Sequence, residues 1–339
     1  MSTSPPTVSV IVPNYNHARY LPPRLDSVLQ QTYPHTDVLL LDDCSTDDSR
    51  AVLARYAQQH PGITLRLNEY NSGSTFRQWN KGLSWATGTY VWIAESDDVA
   101  EPTLLARLVA SLEANPHAVM AYCQSRLIDA DGTPDGLALV LDDGLGSADF
   151  CRPGRGLVEQ YMPITNIVAN ASAVLMRRSA LAAAGPAPED MRLAGDWLFW
   201  IRLMLQGDVC YLAEPLNLFR THGQNVRVQA QSVGLVEMAR VLGYLRRTVA
   251  IEPAVYQRAL AMLTERWFQT FIYTPLSKPA HQRFMAEMKS FEPGFGLIFT
   301  RLVATRLFRE RLSGFKMVIG DKLLGRRESG ATPQQGAAN

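Results

Sequence analysis

The stretch YVWIAESDDV, residues 90–99, joins a short apolar run to an acidic cluster. Its first five residues are apolar enough for a buried strand. Glu95, Asp97 and Asp98 then follow within four positions. Carboxylates this close repel one another. The cluster is therefore either a solvated loop or a place where a positive group sits.

Outward from this stretch, short apolar runs alternate with segments of helical spacing. Predicted strands cover 8–12, 37–43, 63–69, 90–96 and 119–123. Predicted helices lie between them, at 21–29, after a cap at Ser45 or Asp47, at 75–86 and at 102–114. Such alternation with short connections predicts an α/β fold: a mostly parallel, Rossmann-like sheet with helices on both faces.

The rest of the chain is patterned less evenly. Residues 124–165 are rich in Gly and Asp and predict a hairpin with loops. Further on, strands are predicted at 171–177 and 210–223, and helices at 194–207, 228–250, 254–273 and 297–327. These patterns predict a catalytic-type domain at 1–225, a helical C-terminal region at 226–327 and a disordered tail at 328–339.

Composition and charge narrow the class of protein. Of 339 residues, 47% are hydrophobic and 19% charged, which is typical of a globular chain. A net charge of +1 argues against a nucleic-acid partner. The four cysteines show no C-x-x-C spacing, the start of the chain lacks a signal-peptide pattern, and no apolar run reaches the roughly 18–20 residues of a membrane span. We therefore expect reduced thiols and a cytoplasmic location.

Three polar clusters follow the predicted strands: residues 13–16, 42–43 and 95–98. Ligands of open α/β sheets bind beyond the carboxyl ends of the strands, so these clusters are expected along one edge. Carboxylates there suit a hard divalent cation such as Mg²⁺ or Mn²⁺. The alternative for the last cluster is a solvated loop that caps the helix beginning near Pro102.

Three stretches together resemble the family 2 glycosyltransferases of GT-A fold: VSVIVPNYN (8–16), LLLDDCSTDDS (39–49) and the run from NSGSTF to AESDD (71–98). The resemblance covers roughly residues 7–225. It implies transfer of a sugar from a nucleotide-diphosphate donor to a hydroxyl acceptor, with inversion at the anomeric carbon.

The resemblance assigns donor contacts. Pro13 and Tyr15 would touch the pyrimidine of a UDP- or dTDP-sugar, with Tyr15 stacking on it, and Asp42 or Asp43 would accept a hydrogen bond from the ring N–H. Ordinary packing for Tyr15 and helix capping for Asp43 are the alternatives. Arg77 is a candidate for the diphosphate, although it lies two positions before the arginine of the family's run, and a solvated helix face is its alternative.

The same resemblance assigns a metal site. Glu95, Asp97 and Asp98 occupy the place of the family's D-x-D motif, with Glu95 replacing the first Asp. His222, in an Arg-Thr-His run, matches the family's closing R-x-H and is a further candidate ligand. A hydrogen-bonded surface histidine is its alternative. The cation would stabilise the leaving diphosphate.

Asp196 falls where the family places its catalytic base, which removes the proton of the acceptor hydroxyl. Gly195 precedes it, where the family often has Glu. Asp is also a favoured helix N-cap, so a capping role is the competing interpretation. Trp197 and Trp200 are expected in the core, with Trp197 as a candidate wall of an acceptor pocket.

Residues 301–327 hold eight Arg or Lys against two acidic residues, with apolar side chains between them. Such a segment either lies on the inner face of an anionic membrane or packs on its own catalytic domain. Family habit suggests bacterial surface-polysaccharide synthesis on a saccharide or lipid-linked acceptor. Two other functions stay open: a nucleotidyltransferase, although the first loop lacks the expected glycines, and a non-catalytic sugar-nucleotide-binding protein.

Overall fold

The computed structural model describes residues 5–138, 141, 144–221, 231–273 and 278–309. Ten strands form one sheet in the order β3-β2-β1-β4-β9-β6-β10-β5, with β7 paired to β6 and β8 to β10. The strands are β1 (Val8–Asn14), β2 (Thr36–Asp42), β3 (Ile63–Leu67), β4 (Tyr90–Ile93), β5 (Val99–Ala100), β6 (Ala118–Ile128), β7 (Pro134–Leu137), β8 (Phe150–Pro153), β9 (Val174–Arg177) and β10 (Asp208–Arg220).

The N-terminal half of the sheet is parallel. β1 pairs in parallel with β2 and β4, and β2 pairs in parallel with β3. All seven residues of β1 are buried, as expected for a central parallel strand covered on both faces. The carboxyl ends of β1, β2 and β4 therefore open at one edge, as the sequence predicts.

The C-terminal half is mixed. β9 runs antiparallel between β4 and β6, while β10 is parallel to β6. The predicted hairpin is present as the antiparallel pair of β6 and β7. The expectation of an α/β fold with a mostly parallel sheet and a helical C-terminal part is confirmed.

Helices cover both faces of the sheet. They are α1 (Leu21–Leu29), α2 (Ser49–Gln59), α3 (Thr75–Trp85), α4 (Leu104–Ala114), α5 (Gly154–Gln160), α6 (Arg178–Ala184), α7 (Gly195–Met204), α8 (Gln231–Thr248), α9 (Pro253–Tyr273), α10 (Lys278–Phe291) and α11 (Phe295–Arg309). The sequence patterns missed α5, α6 and α10. The first two are single short elements of seven residues, too short for a clear period.

Alternation along the strands divides the core in two. Val8, Val10 and Val12 face a cluster that α1, α2 and α4 cover. Ile11 faces the other cluster, which α3, α7 and the C-terminal helices share. Gly82 lets α3 approach β1 closely, because a Cβ there would overlap the Ile11 side chain.

The C-terminal helices pack on the face that carries α7. Buried residues of α8, α9 and α10, among them Leu242, Trp267 and Phe284, belong to the same hydrophobic cluster as Trp200. The described part of 226–309 thus packs on the sheet-bearing part of the chain. The boundary at 225 stays a prediction.

One expectation is wrong, and two others fall on residues that the structure does not describe. Cys151 and Cys210, opposite each other on β8 and β10, form a disulfide, whereas reduced thiols were expected. Sequence spacing could not show this, because strand pairing brings together residues 59 positions apart. Residues 310–327 of the predicted membrane-contact segment and the tail at 328–339 lie outside the described residues. Among the described helices, none combines the length and apolar character needed to cross a bilayer.

Candidate active site

A cavity of about 600 Å³ opens at the carboxyl ends of β1, β2 and β4. We call it the strand-end cavity. Residues of all three predicted polar clusters line it, together with the loop before α3 and the loop before α7: Pro13, Asn14, Tyr15, Asn16, His17, Asp43, Asn71, Gly73, Ser74, Thr75, Phe76, Gln78, Glu95, Ser96, Glu189, Asp190, Met191 and Arg192. The edge expected from the sequence is therefore a recessed site.

Tyr15 presents an accessible ring to this cavity. Its side chain is 45% exposed although it directly follows the buried strand β1. The next residue, Asn16, has a positive φ of 56°, and its side-chain oxygen accepts hydrogen bonds from the Thr46 backbone and hydroxyl. This tight loop leaves Tyr15 at the surface, where a flat ring can stack on it.

Asp42 and Asp43 have different surroundings. The Asp42 carboxylate is fully buried and accepts hydrogen bonds from Asn14, Ser45 and Arg50, so it holds β1, β2 and α2 together. Asp43 lines the strand-end cavity. Of the two candidates, Asp43 is the one placed to meet a ligand, while Asp42 has a structural role.

Asp43 also orders the loop before α3. One of its oxygens accepts hydrogen bonds from Asn68 Nδ2 at 2.7 Å, the Ser72 backbone at 2.8 Å and Gln78 Nε2 at 2.8 Å. The other oxygen accepts from Ser72 Oγ at 2.7 Å. The loop that lines one side of the cavity is thus fixed to the end of β2.

Asp98, predicted as a metal ligand, is buried and is not among the described residues that line the strand-end cavity. It is 1% exposed, and both of its oxygens already accept hydrogen bonds. Oδ2 accepts from Asn170 Nδ2 at 2.9 Å and from Ser172 Oγ at 2.6 Å, and Oδ1 accepts from the Arg220 backbone at 2.9 Å. A cation at Asp98 would have to displace these donors in a place that the cavity does not reach, and the hydrogen bonds indicate a supporting role for this carboxylate.

Two arginines, Arg24 and Arg220, place positive charge next to the acidic cluster. Arg24 of α1 is fully buried; its guanidinium donates to the Glu95 carbonyl at 2.7 Å and lies 3.8 Å from Asp98 Oδ2. Arg220, at the end of β10, donates to the Asp97 carbonyl at 2.7 Å. Two buried cations therefore hold the backbone of the acidic cluster, and Arg24 also lies near the Asp98 carboxylate, so the solvated-loop interpretation fails for Asp98.

The side chain of Glu95 has a raised pKa. Its carboxylate accepts a hydrogen bond from Trp79 Nε1 at 2.7 Å and lines the strand-end cavity. Burial, followed by the nearby charge of Asp97, raises the pKa of Glu95 from 4.5 to about 8. The Glu95 carboxyl group thus lies in the cavity wall close to the charge of Asp97, where a cation would favour its ionised form.

The structure gives less support to the two remaining predicted ligand contacts, His222 for the metal and Arg77 for the diphosphate. His222 lies outside the described residues, and the described residues contain no cluster of three His, Cys, Asp or Glu side chains suited to a metal. Arg77 donates to the Ser72 carbonyl at 2.7 Å and pairs with Glu189 at 3.4 Å. Arg77 therefore fastens the rim of the cavity through its contacts with both flanking loops.

Sequence reasoning missed several cavity residues, among them His17 and Arg192. His17 Nδ1 lies 2.8 Å from Ser96 Oγ, which links the loop after β1 to the acidic cluster. Arg192, on the loop before α7, is exposed and lines the strand-end cavity. Neither belongs to a recognisable spacing pattern, and the loops that carry them meet only in the folded chain.

Asp196 lines a second cavity of about 820 Å³, which we call the Asp196 cavity. It lies between α7, the loop around Asn166 and the C-terminal helices α8 and α9. Asn166 Nδ2 donates to Asp196 Oδ2 at 3.3 Å. Trp197 is 8% exposed and forms part of the wall, as expected.

Asp196 is not the N-cap of its helix. The cap position is Ala194, and Asp196 lies in the first turn of α7. A carboxylate from another helix does the capping: Glu237 of α8 accepts hydrogen bonds from the backbones of Arg192, Leu193 and Ala194. Gly195 packs against the ring of Phe76, which leaves no room for a side chain where the family often has Glu.

One short segment adjoins both cavities. Met191 and Arg192 line the strand-end cavity, whereas Leu193, Ala194 and Asp196 line the Asp196 cavity. A carboxylate therefore stands beside the boundary of two recesses. This arrangement suits a reaction that joins two substrates, one from each side.

Comparison with known proteins defines the class. The profile of the family described as "Glycosyl transferase family 2" matches residues 9–183, about half of the chain. The chain belongs to family 2 of the glycosyltransferases, and it is a transferase of the glycosyl-transferring class (EC 2.4).

One relative and two solved structures illustrate the similarity. TuaG of Bacillus subtilis, a glycosyltransferase named for teichuronic acid biosynthesis, is 35% identical over 134 residues, 40% of this chain and 52% of its own length. S. aureus TarS 1–349 in complex with UDP-GlcNAc superposes with a TM-score of 0.62 at 19% identity, covering 84% of this chain and 80% of that one. The mannosyltransferase PcManGT from Pyrobaculum calidifontis with GDP-Man and Mn²⁺ gives a TM-score of 0.53 at 19% identity, covering 96% and 89%. The last two show the shared GT-A fold.

Proposed function

We propose that this chain transfers a sugar from a UDP- or dTDP-linked donor to a hydroxyl group of a saccharide or lipid-linked saccharide, with inversion at the anomeric carbon. The observation that carries the proposal is the position of Asp196 on the segment between two cavities. The strand-end cavity would hold the donor, and the Asp196 cavity the acceptor. The solved complexes of TarS with UDP-GlcNAc and of PcManGT with GDP-Man support a nucleotide-sugar donor, and the TarS complex is the one that favours a pyrimidine nucleotide.

The donor's base would lie against Tyr15 and Pro13, with Asp43 accepting the hydrogen bond of the ring N–H. Tyr15 is exposed without any ligand, so its ring needs no rearrangement to stack on a pyrimidine. Arg192 is the nearby cation that we assign to the diphosphate, in preference to Arg77, which is tied to Ser72 and Glu189.

Glu95 and Asp97 fit a divalent cation. Both offer hard oxygen ligands, and the pKa of Glu95 is raised first by burial and then by the charge of Asp97, which a bound cation would offset. Mg²⁺ and Mn²⁺ in such sites commonly take one or two carboxylates plus phosphate oxygens of the substrate. When bound, the cation neutralises charge on the leaving diphosphate.

Asp196 would act as the general base. It takes the proton of the acceptor hydroxyl as that oxygen bonds to the anomeric carbon, and the bond from this carbon to the nucleoside diphosphate breaks on the opposite face. One base and one displacement invert the configuration. Asn166 orients the carboxylate through its hydrogen bond, and the walls around it limit water that would compete with the acceptor.

The setting that we propose is the assembly of cell-surface polysaccharide. The similarity to TuaG, which is named for teichuronic acid biosynthesis, supports it, and an acceptor recess of about 820 Å³ has room for a saccharide unit. Contact with the inner face of the membrane through 301–327 and a cytoplasmic location remain predictions.

The decisive experiment separates donor binding from transfer. Calorimetric titrations with UDP, dTDP and GDP, with and without Mn²⁺, should show metal-dependent binding of a pyrimidine nucleotide. Asp196→Asn should bind this nucleotide as the wild type does but lose transfer by about 10²-fold or more. Full transfer by Asp196→Asn would refute the base assignment, and a folded protein that binds none of the nucleotides would refute the donor assignment.

A further inference from the structure

The Asp196 cavity has an acidic wall and a basic wall. Among the described residues that line it, Asp196 and Arg266 are the two with charged side chains. Asp196 stands on α7, and Arg266 comes from α9, in the C-terminal helices. Arg266 forms no ion pair with any described carboxylate, Asp196 included. The two charges therefore do not neutralise each other.

The other polar groups on the α9 wall are already engaged. Gln269 Nε2 donates to Glu265 Oε1 at 3.3 Å, and Thr270 Oγ1 donates to the Arg266 carbonyl at 2.9 Å. The Arg266 guanidinium keeps its donors for a ligand, and its side chain is exposed. Apolar side chains from α8, Leu235 and Met238, line the cavity beside it.

We infer that Arg266 is an anion subsite for the acceptor: the acceptor carries a phosphate, diphosphate or carboxylate group that this guanidinium binds while its hydroxyl faces Asp196. Guanidinium groups bind such planar or tetrahedral oxyanions through paired hydrogen bonds. The inference rests on the proposed function, since it assigns the acceptor to this cavity.

The anion that binds Arg266 can come from either of two parts of the acceptor. The anion is either the diphosphate that joins a saccharide to a lipid carrier or an acidic group of the saccharide itself. Two matched probe pairs distinguish them: farnesyl-diphosphate-linked N-acetylglucosamine against its neutral farnesyl glycoside, and methyl glucuronide against methyl glucoside.

The experiment measures the affinity of all four probes by calorimetry, with and without saturating UDP and Mg²⁺. We expect the charged member of at least one pair to bind about tenfold more tightly than its neutral partner. Arg266→Gln should remove this preference. Arg258→Gln is the matched control: it makes the same change of charge at an exposed position of the same helix, outside the cavity lining.

Equal affinity within both pairs, or a preference that survives in Arg266→Gln, would overturn the inference. UDP binding is read separately in each sample. A wild type that prefers the charged probe but binds no UDP would contradict the proposed donor site alone. A wild type that binds UDP but ignores probe charge would contradict the anion subsite alone.

Discussion

The carboxylate of Glu237 caps the backbone at Ala194, two residues before Asp196. Glu237 Oε2 accepts hydrogen bonds from Ala194 at 2.8 Å and from Leu193 at 2.7 Å, and Oε1 accepts from Arg192 at 2.6 Å. A negative charge at this end of α7 also interacts favourably with the helix dipole. The C-terminal helices therefore position the segment that adjoins both cavities.

Replacing Glu237 with Gln should misplace Asp196 without removing any group that touches a substrate. The amide turns N–H donors toward backbone N–H groups, so one or two of the three hydrogen bonds are lost. We expect kcat to fall about tenfold or more, because small misplacements of a base are costly. Stability should drop by about 1–3 kcal/mol, measured by urea unfolding.

A positioning role predicts which constants respond. The KM for the acceptor and the pH dependence of kcat should change, whereas the affinity for UDP without acceptor should change less. Glu252→Gln, at an exposed position of the same helical region, is the charge-matched control and should behave as the wild type. Unaltered kcat in Glu237→Gln would show that the capped segment tolerates movement.

Tyr15→Ala should weaken nucleotide binding with little effect on folding. The ring is 45% exposed, so its removal leaves no internal cavity. Loss of base stacking should lower UDP affinity by about 1–3 kcal/mol in a calorimetric titration, while Tyr15→Phe should retain it. Tyr70→Ala is the control, since Tyr70 is 81% exposed and lies outside the cavity lining. Equal losses in the two alanine variants would argue against stacking at Tyr15.

The helices and strands of the N-terminal half could be predicted from the sequence, because each of them has a clear hydrophobic pattern within its own residues. Buried parallel strands such as β1 and β2 are continuous apolar runs, and the helices between them show a clear period. The strand β9 was predicted, but no sequence pattern indicated that it pairs antiparallel between β4 and β6. Which strand neighbours which is decided by packing across the sheet.

The sequence predicted where the candidate site lies, but not which of its carboxylates are already saturated with hydrogen bonds. Residue types at strand ends located Asp43 and Glu95, and the family resemblance located Asp196; all three line a cavity. The sequence could not tell which carboxylates are saturated, since the donors to Asp98 come from elements that are distant in the chain. Glu237 was missed for the same reason: its hydrogen bonds join two separate helices.

Asp97→Asn and Asp98→Asn should affect different properties, although the residues are adjacent: the first should lose metal-dependent binding, and the second should lose stability. Asp98→Asn leaves the buried Arg24 without its counter-charge and should destabilise the fold by about 3–5 kcal/mol. Asp97→Asn relieves repulsion with Glu95, so its stability should stay within about 1 kcal/mol of the wild type. Metal-dependent UDP binding should nevertheless be lost.

Urea unfolding and calorimetry on both variants provide the measurement. Asp98→Glu serves as a further check, because it keeps the charge but cannot fit the same donors, and should also destabilise the fold. Comparable stability of Asp98→Asn and the wild type would mean that Arg24 finds another partner, and would reopen a ligand role for Asp98.

The metal-free enzyme should lose stability as the pH rises through the range in which Glu95 titrates. The pKa of Glu95 is raised from 4.5 to about 8 in the folded state, first by burial and then by Asp97. Between these values the folded protein holds a proton that the unfolded chain has released. The free energy of unfolding contributed by this group therefore falls with increasing pH and levels off above about pH 8.

Glu95→Gln isolates this contribution, because the amide stays neutral and its oxygen can still accept the hydrogen bond from Trp79. Urea unfolding in EDTA at several pH values should show the wild type losing stability relative to Glu95→Gln as the pH rises. Mn²⁺ with UDP should reverse the trend in the wild type only, since cation binding favours the ionised carboxylate. Parallel pH profiles for the two proteins would show that Glu95 is already ionised near pH 7, and that Arg24 and Arg220 offset the cluster more completely than the raised pKa implies.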